Sequence, residues 1–165
     1  MSAYTNTLES GIYEIRNRAT GEVVFRHPIE DKSLLPKPIY SLHPDTRPLG
    51  KWEVVKKGGN KFVLKAHGAP TGIRNVDDQR HVYAFLTDED KHTVEWEITK
   101  VVDTRHEEGY IIETKDFGEQ IGWSAYGNDG QFGVKIAAKP LPSTRSLPPQ
   151  FFVTDVFEFI RIDRE

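Results

Sequence analysis

The sequence predicts an all-β protein, most simply a β-trefoil of about twelve strands with pseudo-threefold symmetry. Three observations carry that expectation. Residues 51–65 read as two alternating strands around a Gly58-Gly59-Asn60 turn, with Trp52 and Val54 on one face and Phe62 and Leu64 on another. A related pair recurs at 95–99 and 109–113, and a third is split between the chain ends, at 157–161 and 11–15. Tyr13, Phe62 and Tyr110 begin the matching strands, 49 (62 − 13) and 48 (110 − 62) residues apart. Units whose last half must pair with the first describe a closed object. Finally, no stretch of about 12 residues carries a 3.6-residue apolar period, so helix should be negligible.

In chain order, residues 1–10 read as a polar lead-in to one domain spanning 1–165. Residues 11–17 alternate, and a turn at Arg18-Ala19-Thr20-Gly21 leads to a second strand at 22–26. Pro28, Pro36 and Pro38 forbid a central strand over 27–38 and stiffen that loop by fixing φ. Extended structure resumes at 39–42, before a loop over 43–50. Beyond the Trp52 and Phe62 strands, a turn at 68–72 leads to a short arm at 73–76 and a buried strand at 81–86. Further strands follow the Trp96 and Tyr110 pair, at 120–124 and 131–136. Pro140, Pro142, Pro148 and Pro149 make a second rigid loop over 139–150, and 151–162 closes the chain.

The composition fits this plan. A chain of 165 residues has the length of one domain with a substantial core. Hydrophobic residues make up 37%, with 10 Pro and 13 Gly, which favours short strands and well-defined loops. The net charge of −3 offers no basic field to phosphate backbones or anionic lipid, so neither nucleic acid nor membrane is expected as a partner. There is no cysteine, hence no disulfide, and a reducing compartment is tolerable. No positive and apolar leader opens the sequence, and no run approaches the ~18 apolar residues of a membrane span. A cytoplasmic monomer is the expectation.

Tyr13, Trp52, Phe62, Trp96 and Tyr110 read as inward residues that fill the barrel. Trp123 lies outside the matched strands and reads equally as core or as a platform for a sugar. Enzymatic signatures are missing: there is no Gly-x-Ser-x-Gly, no His-Glu-x-x-His, no phosphate-binding glycine loop and no cysteine nucleophile. His27, His43, His67, His81, His92 and His106 have no metal-site spacing. Asp77-Asp78 and Asp88-Glu89-Asp90 read as solvated turns, and Gly127-Asn128-Asp129-Gly130 as hairpin turn chemistry. Neither catalysis nor a cofactor or metal is expected.

If the strands are scaffold, function belongs to loops. The loop 27–38 holds Asp31-Lys32-Ser33-Leu34, a basic residue followed by a small hydroxyl, between Pro28 and Pro36. A trypsin-like protease reads an exposed Lys or Arg through an acidic pocket, and a loop held extended has little ordering entropy to lose on binding. The same stretch is also consistent with an ordinary polar loop. Arg145-Ser146 repeats the pattern in the other Pro-rich loop. Asn75 could address an asparagine-specific cysteine protease, or serve only as a turn residue tolerant of positive φ.

Five stretches, Gly11-Ile12-Tyr13-Glu14-Ile15-Arg16-Asn17, Lys51-Trp52-Glu53-Val54, Gly109-Tyr110-Ile111-Ile112-Glu113, Ile121-Gly122-Trp123 and Phe157-Glu158-Phe159-Ile160, resemble the mushroom β-trefoil protease inhibitors. The likeness is to the cospin-like serine protease inhibitors and, more distantly, the cysteine-protease-inhibiting mycocypins. It implies a cytosolic fungal defence protein that inhibits trypsin-like serine proteases reversibly through the loop between strands two and three. Here that loop is 27–38, with Asp31, Lys32, Ser33, Leu34 and Leu35 facing the enzyme and Lys32 in its pocket. Arg26, Lys37 and Arg145 are other basic residues open to that role. A carbohydrate-binding β-trefoil using Trp123, Asn128 and Asp129 is one alternative, and inhibition of a cysteine protease such as legumain through Asn75 is another. The Gln-x-Trp repeat of ricin-type lectins is missing, since Gly50 and Val94 stand two residues before Trp52 and Trp96.

Overall fold

Alternation along the chain becomes alternation of burial. The computed structural model describes residues 8–87, 92–127 and 130–162. Its strands are β1 (Gly11–Asn17), β2 (Val24–Arg26), β3 (Lys37–Leu42), β4 (Trp52–Gly58), β5 (Lys61–Ala66), β6 (Ala69–Val76) and β7 (Gln79–Ala84). They continue as β8 (Trp96–Asp103), β9 (Glu108–Asp116), β10 (Glu119–Ser124), β11 (Gly133–Lys135), β12 (Ala137–Lys139), β13 (Gln150–Phe151) and β14 (Phe157–Arg161), with a 3-10 turn at Val153–Asp155. Tyr13, Ile15 and Asn17 of β1 point inward, as do Trp52 and Val54 of β4 and Phe62, Leu64 and Ala66 of β5. The period of two puts these side chains on one face of the pleat.

The sheet closes on itself. Hydrogen-bonded neighbours run β7–β12–β10–β9–β14–β1–β4–β5–β6 and return to β7, a closed barrel of nine strands, with β8 also bridging β5 and β9. The expected twelve-strand, pseudo-threefold β-trefoil is therefore corrected to an all-β fold with fourteen strands among the described residues, nine of which close the barrel. One physical cause of the difference lies in the last third of the chain. Pro140, Pro142, Pro148 and Pro149 withhold ladder donors there, so β12 stops at Lys139 and β13 is confined to the two residues after Pro149. The aromatic strands do meet: Tyr13 is opposite Trp52, Phe62 opposite Trp96, and Tyr110 opposite Phe157. The chain ends pair as β1 with β14. The end of the lead-in is tied down as well, since Leu8 is buried in the core and Ser10 Oγ accepts a 2.8 Å hydrogen bond from the Lys56 amide.

Trp123 sits at the centre of the core. Its ring lies 5.7 Å from Trp52, 5.5 Å from Trp96 and 5.9 Å from Phe157, and all four side chains are fully buried. The edge-to-face contacts with Trp96 and Phe157 add to what area burial alone provides. Two of the three indoles satisfy their N–H. Trp52 Nε1 donates to the Val24 carbonyl at 2.6 Å, and Trp96 Nε1 donates to Thr71 Oγ1 at 2.8 Å, whose own hydroxyl donates to the Leu64 carbonyl at 2.9 Å. Trp123 Nε1 finds no acceptor among the described residues. Tyr110 is only half-buried and packs edge-on against Phe159 at 5.4 Å.

Trp52→Ala and Trp96→Ala should each destabilise by about 3–5 kcal/mol in chemical denaturation, the usual cost of deleting a buried aromatic. The Phe substitutions separate hydrogen bonding from packing. Trp96→Phe strands Thr71 without its donor, whereas Trp123→Phe removes an unpaired buried N–H worth about 1–3 kcal/mol of desolvation. Trp123→Phe should therefore be the milder change, and the opposite order of midpoints would refute this account of the core.

Candidate functional site

The loop joining β2 to β3 is braced at both ends by residues that the strands bury. Arg26, the last residue of β2, has 9% of its side chain exposed. It grips Glu30 with two parallel bonds, Nη2 to Oε1 at 2.6 Å and Nε to Oε2 at 3.0 Å, and Nη1 donates to the Ala66 carbonyl at 3.0 Å. Fork-to-carboxylate pairs are geometrically selective as well as strong. Beside it the His27 ring lies 4.0 Å from Phe132, and Phe132 meets Tyr40 edge-on at 5.9 Å. The Ile29 amide donates to His27 Nδ1 at 3.0 Å. Burial pushes the Tyr40 phenol up, with the nearby Tyr83 and Glu30 adding to it.

The other end is held by Lys37, the first residue of β3, whose side chain is only 5% exposed. Its Nζ donates to Asp31 Oδ1 at 2.5 Å, to the Asp31 carbonyl at 3.2 Å and to Ser33 Oγ at 3.3 Å. Asp31 Oδ1 also accepts from the Ser33 amide at 2.9 Å and from the Ser33 hydroxyl. The Leu35 amide donates to Ser33 Oγ at 3.3 Å. Lys37 and then Ser33 hold the Asp31 carboxyl well below the usual carboxylate range, although the side chain itself is largely in solvent.

Between these braces Asp31, Lys32, Ser33, Leu34 and Leu35 form one exposed tip, with Leu34 at 68% and Leu35 at 60%. The expected extended conformation is corrected here: residues 32–35 are a run of bends, because Asp31, Ser33 and Lys37 fold the tip back onto β3. Arg26 and Lys37 are buried, so neither can enter an enzyme's pocket; both are supports. Arg145 is exposed. Asn75 belongs to β6 and pairs with Arg80 of β7, so it is a ladder residue rather than a loop tip. Asp77 and Asp78, with φ of 55° and 62°, make the turn that follows. Trp123 is wholly buried and cannot stack on a sugar, while Asn128, Asp129 and Asp88-Glu89-Asp90 lie outside the described residues. Among the described residues no group of three or more His, Asp or Glu side chains is placed to hold a metal ion. Sequence reasoning missed Glu30 and the supporting roles of Arg26 and Lys37. The four-residue spacing of Arg26 and Glu30 was a visible signal, but Lys37 had none.

Comparison with known proteins bears on the same chain from end to end. A serine protease inhibitor from Lentinula edodes is 34% identical over 158 residues, covering 95% of this chain and 100% of that protein. A proteinase inhibitor from Coprinopsis cinerea has a similar solved structure, with a TM-score of 0.73 and 25% identity over 94% of this chain and 100% of that one. The Rhizoctonia solani agglutinin shares the fold at a TM-score of 0.61, with 20% identity over 95% of this chain and 99% of that one. The family model of peptidase inhibitor I66 matches residues 6–161, and the chain belongs to that family.

Proposed function

We propose that this protein is a reversible inhibitor of trypsin-like serine proteases, acting through the loop 27–38 with Lys32 in the specificity pocket. The observation that carries the reading is the braced tip: Lys32 stands exposed on a loop whose neighbours on both sides are hydrogen-bonded to a buried lysine. A loop already ordered loses little conformational freedom on docking. The pocket carboxylate of a trypsin-like enzyme replaces the hydration of the Lys32 ammonium. The network also favours an uncut loop. Attack of the enzyme's serine on the Lys32 carbonyl would expel the Ser33 amine, and that nitrogen is held to Asp31 Oδ1, 2.9 Å away. A leaving group that stays within reach re-forms the bond faster than it departs, because its effective concentration remains high. The Lentinula relative is named a serine protease inhibitor and the Coprinopsis relative a proteinase inhibitor, which supports a protease as the target.

Truncating one side of a buried interfacial charge pair costs about 2–5 kcal/mol, or roughly 30-fold to several-thousand-fold in affinity. In a background carrying Arg145→Ala, Lys32→Ala should weaken trypsin inhibition by that factor while leaving the melting temperature unchanged, since an exposed loop side chain adds little stability. Lys32→Leu should gain inhibition of a chymotrypsin-like enzyme, whose pocket is apolar. Unaltered inhibition of both enzymes would assign the pocket residue elsewhere.

Lys37→Met tests the brace. It should leave Lys32 in place yet turn the protein towards a substrate, with faster cleavage at Lys32-Ser33 and at least several-fold faster hydrogen exchange at the Ser33 and Leu35 amides. The pH response follows from Asp31. Its folded pKa is depressed, so its contribution to loop order is complete above the unfolded carboxylate value of about 3.9 and is lost as pH falls through the folded one. Loop exchange, corrected for intrinsic rates, should stay flat from neutrality to about pH 4 and rise only in stronger acid. A rise near pH 6 would contradict the network.

A further inference from the structure

The braced tip has a second copy. Lys32-Ser33-Leu34-Leu35-Pro36-Lys37 aligns with Arg145-Ser146-Leu147-Pro148-Pro149-Gln150, residue for residue from the basic side chain onward. The copies stand 113 residues apart (145 − 32), which is no multiple of the 48- and 49-residue spacing of the aromatic strands. The likeness is therefore not a by-product of the repeated units.

Local structure repeats with the sequence. In each loop the bends start at the basic residue, run through residues 32–35 or 145–148, pass one proline and enter a strand, β3 or β13. In each, the side chain before the basic residue is hydrogen-bonded to the serine hydroxyl after it. Asp31 accepts from Ser33, and Thr144 Oγ1 lies 2.6 Å from Ser146 Oγ. The second network has a definite direction. The Gln150 amide donates to Thr144 Oγ1 at 3.0 Å, the Thr144 hydroxyl donates to Ser146, and Ser146 donates to the Pro148 carbonyl at 3.0 Å. The Thr144 amide donates to the Gln150 carbonyl at 2.9 Å and closes the base. Leu147 is exposed, as Leu34 is at the first tip.

Arg145 is set apart from the other arginines. Every other described arginine is engaged in an ion pair, a hydrogen bond or a ring contact. Arg145 has none among the described residues, although its loop is pinned on both sides. A guanidinium held clear of the described carboxylates on an ordered loop is prepared for a carboxylate supplied by another molecule.

We propose that loop 143–150 is a second protease-binding loop, with Arg145 entering the acidic pocket of a trypsin-like serine protease. The proposal rests on the reading of loop 27–38 given above. β3 pairs with β7 whereas β13 pairs with β8, so the two loops spring from different parts of the sheet.

Titration of trypsin with the parent protein, Lys32→Ala, Arg145→Ala and the double variant tests it, with native mass spectrometry reading the complexes. Each single variant should still inhibit trypsin and form a one-to-one complex, while the double variant should lose inhibition by about 30-fold or more. A two-to-one complex of the parent would add direct support. If Lys32→Ala alone removes all inhibition, the second loop is inert and the reading of loop 27–38 stands. If Arg145→Ala alone removes it, loop 143–150 is the single site and the reading of loop 27–38 fails. If the double variant inhibits as well as the parent, or the parent does not inhibit trypsin, both assignments fall.

Discussion

The contact on which the rest depends is the cluster of rings around Trp123. That indole, from β10, meets Trp52 from β4, Trp96 from β8 and Phe157 from β14, strands far apart in sequence. A close-packed interior transmits any change in one ring to the others, so the cluster fixes how the distant strands approach. Closure then follows from pairing β14 against β1, which removes free edges along the barrel. With the barrel closed, its centre is filled by these rings. The loops that the barrel carries stand outside that packing.

A rigid barrel does not by itself make a rigid loop. The connection from β2 to β3 is fixed because strand-end residues reach into it: Arg26 grips Glu30 from one side and Lys37 grips Asp31 and Ser33 from the other. Burying an arginine or a lysine is tolerable only when donors and charge are satisfied, and both are. Both long cations are thereby supports of the loop on which Lys32 is exposed.

Much of the scaffold was legible because it is written in period two. Tyr13, Trp52, Phe62 and Trp96 were identifiable as inward residues from alternation alone, and the exposed tip 31–35 from its proline bounds. The strand count and symmetry were not, since proline positions predict where a ladder stops but not that short strands form between the stops. Trp123 was ambiguous because its neighbours in space come from strands that spacing did not relate to it. The Lys37 brace was invisible for a similar reason. Nothing in a lysine six residues from an aspartate says whether its stem is buried or in water, and that alone decides between strut and bait.

The brace also resolves an electrostatic difficulty. The protein carries a net charge of −3, and the residue before Lys32 is an aspartate, an arrangement that would oppose the proposed entry of Lys32 into an acidic pocket. Long-range repulsion is modest, because charges more than about 8 Å apart are screened at physiological salt. The adjacent carboxylate is the serious competitor, since at such short range it could fold onto Lys32 and cancel it. Lys37 removes that competition: with Nζ 2.5 Å from Asp31 Oδ1, the carboxylate is already neutralised by a buried partner. Lys32 is left as the uncompensated charge at the tip. In the 143–150 loop the same place is filled by Thr144, which ties the serine hydroxyl without introducing a negative charge, so Arg145 needs no equivalent of Lys37. One requirement, a fixed loop with a free cation, is met by an ion pair in the first case and by neutral hydrogen bonds in the second.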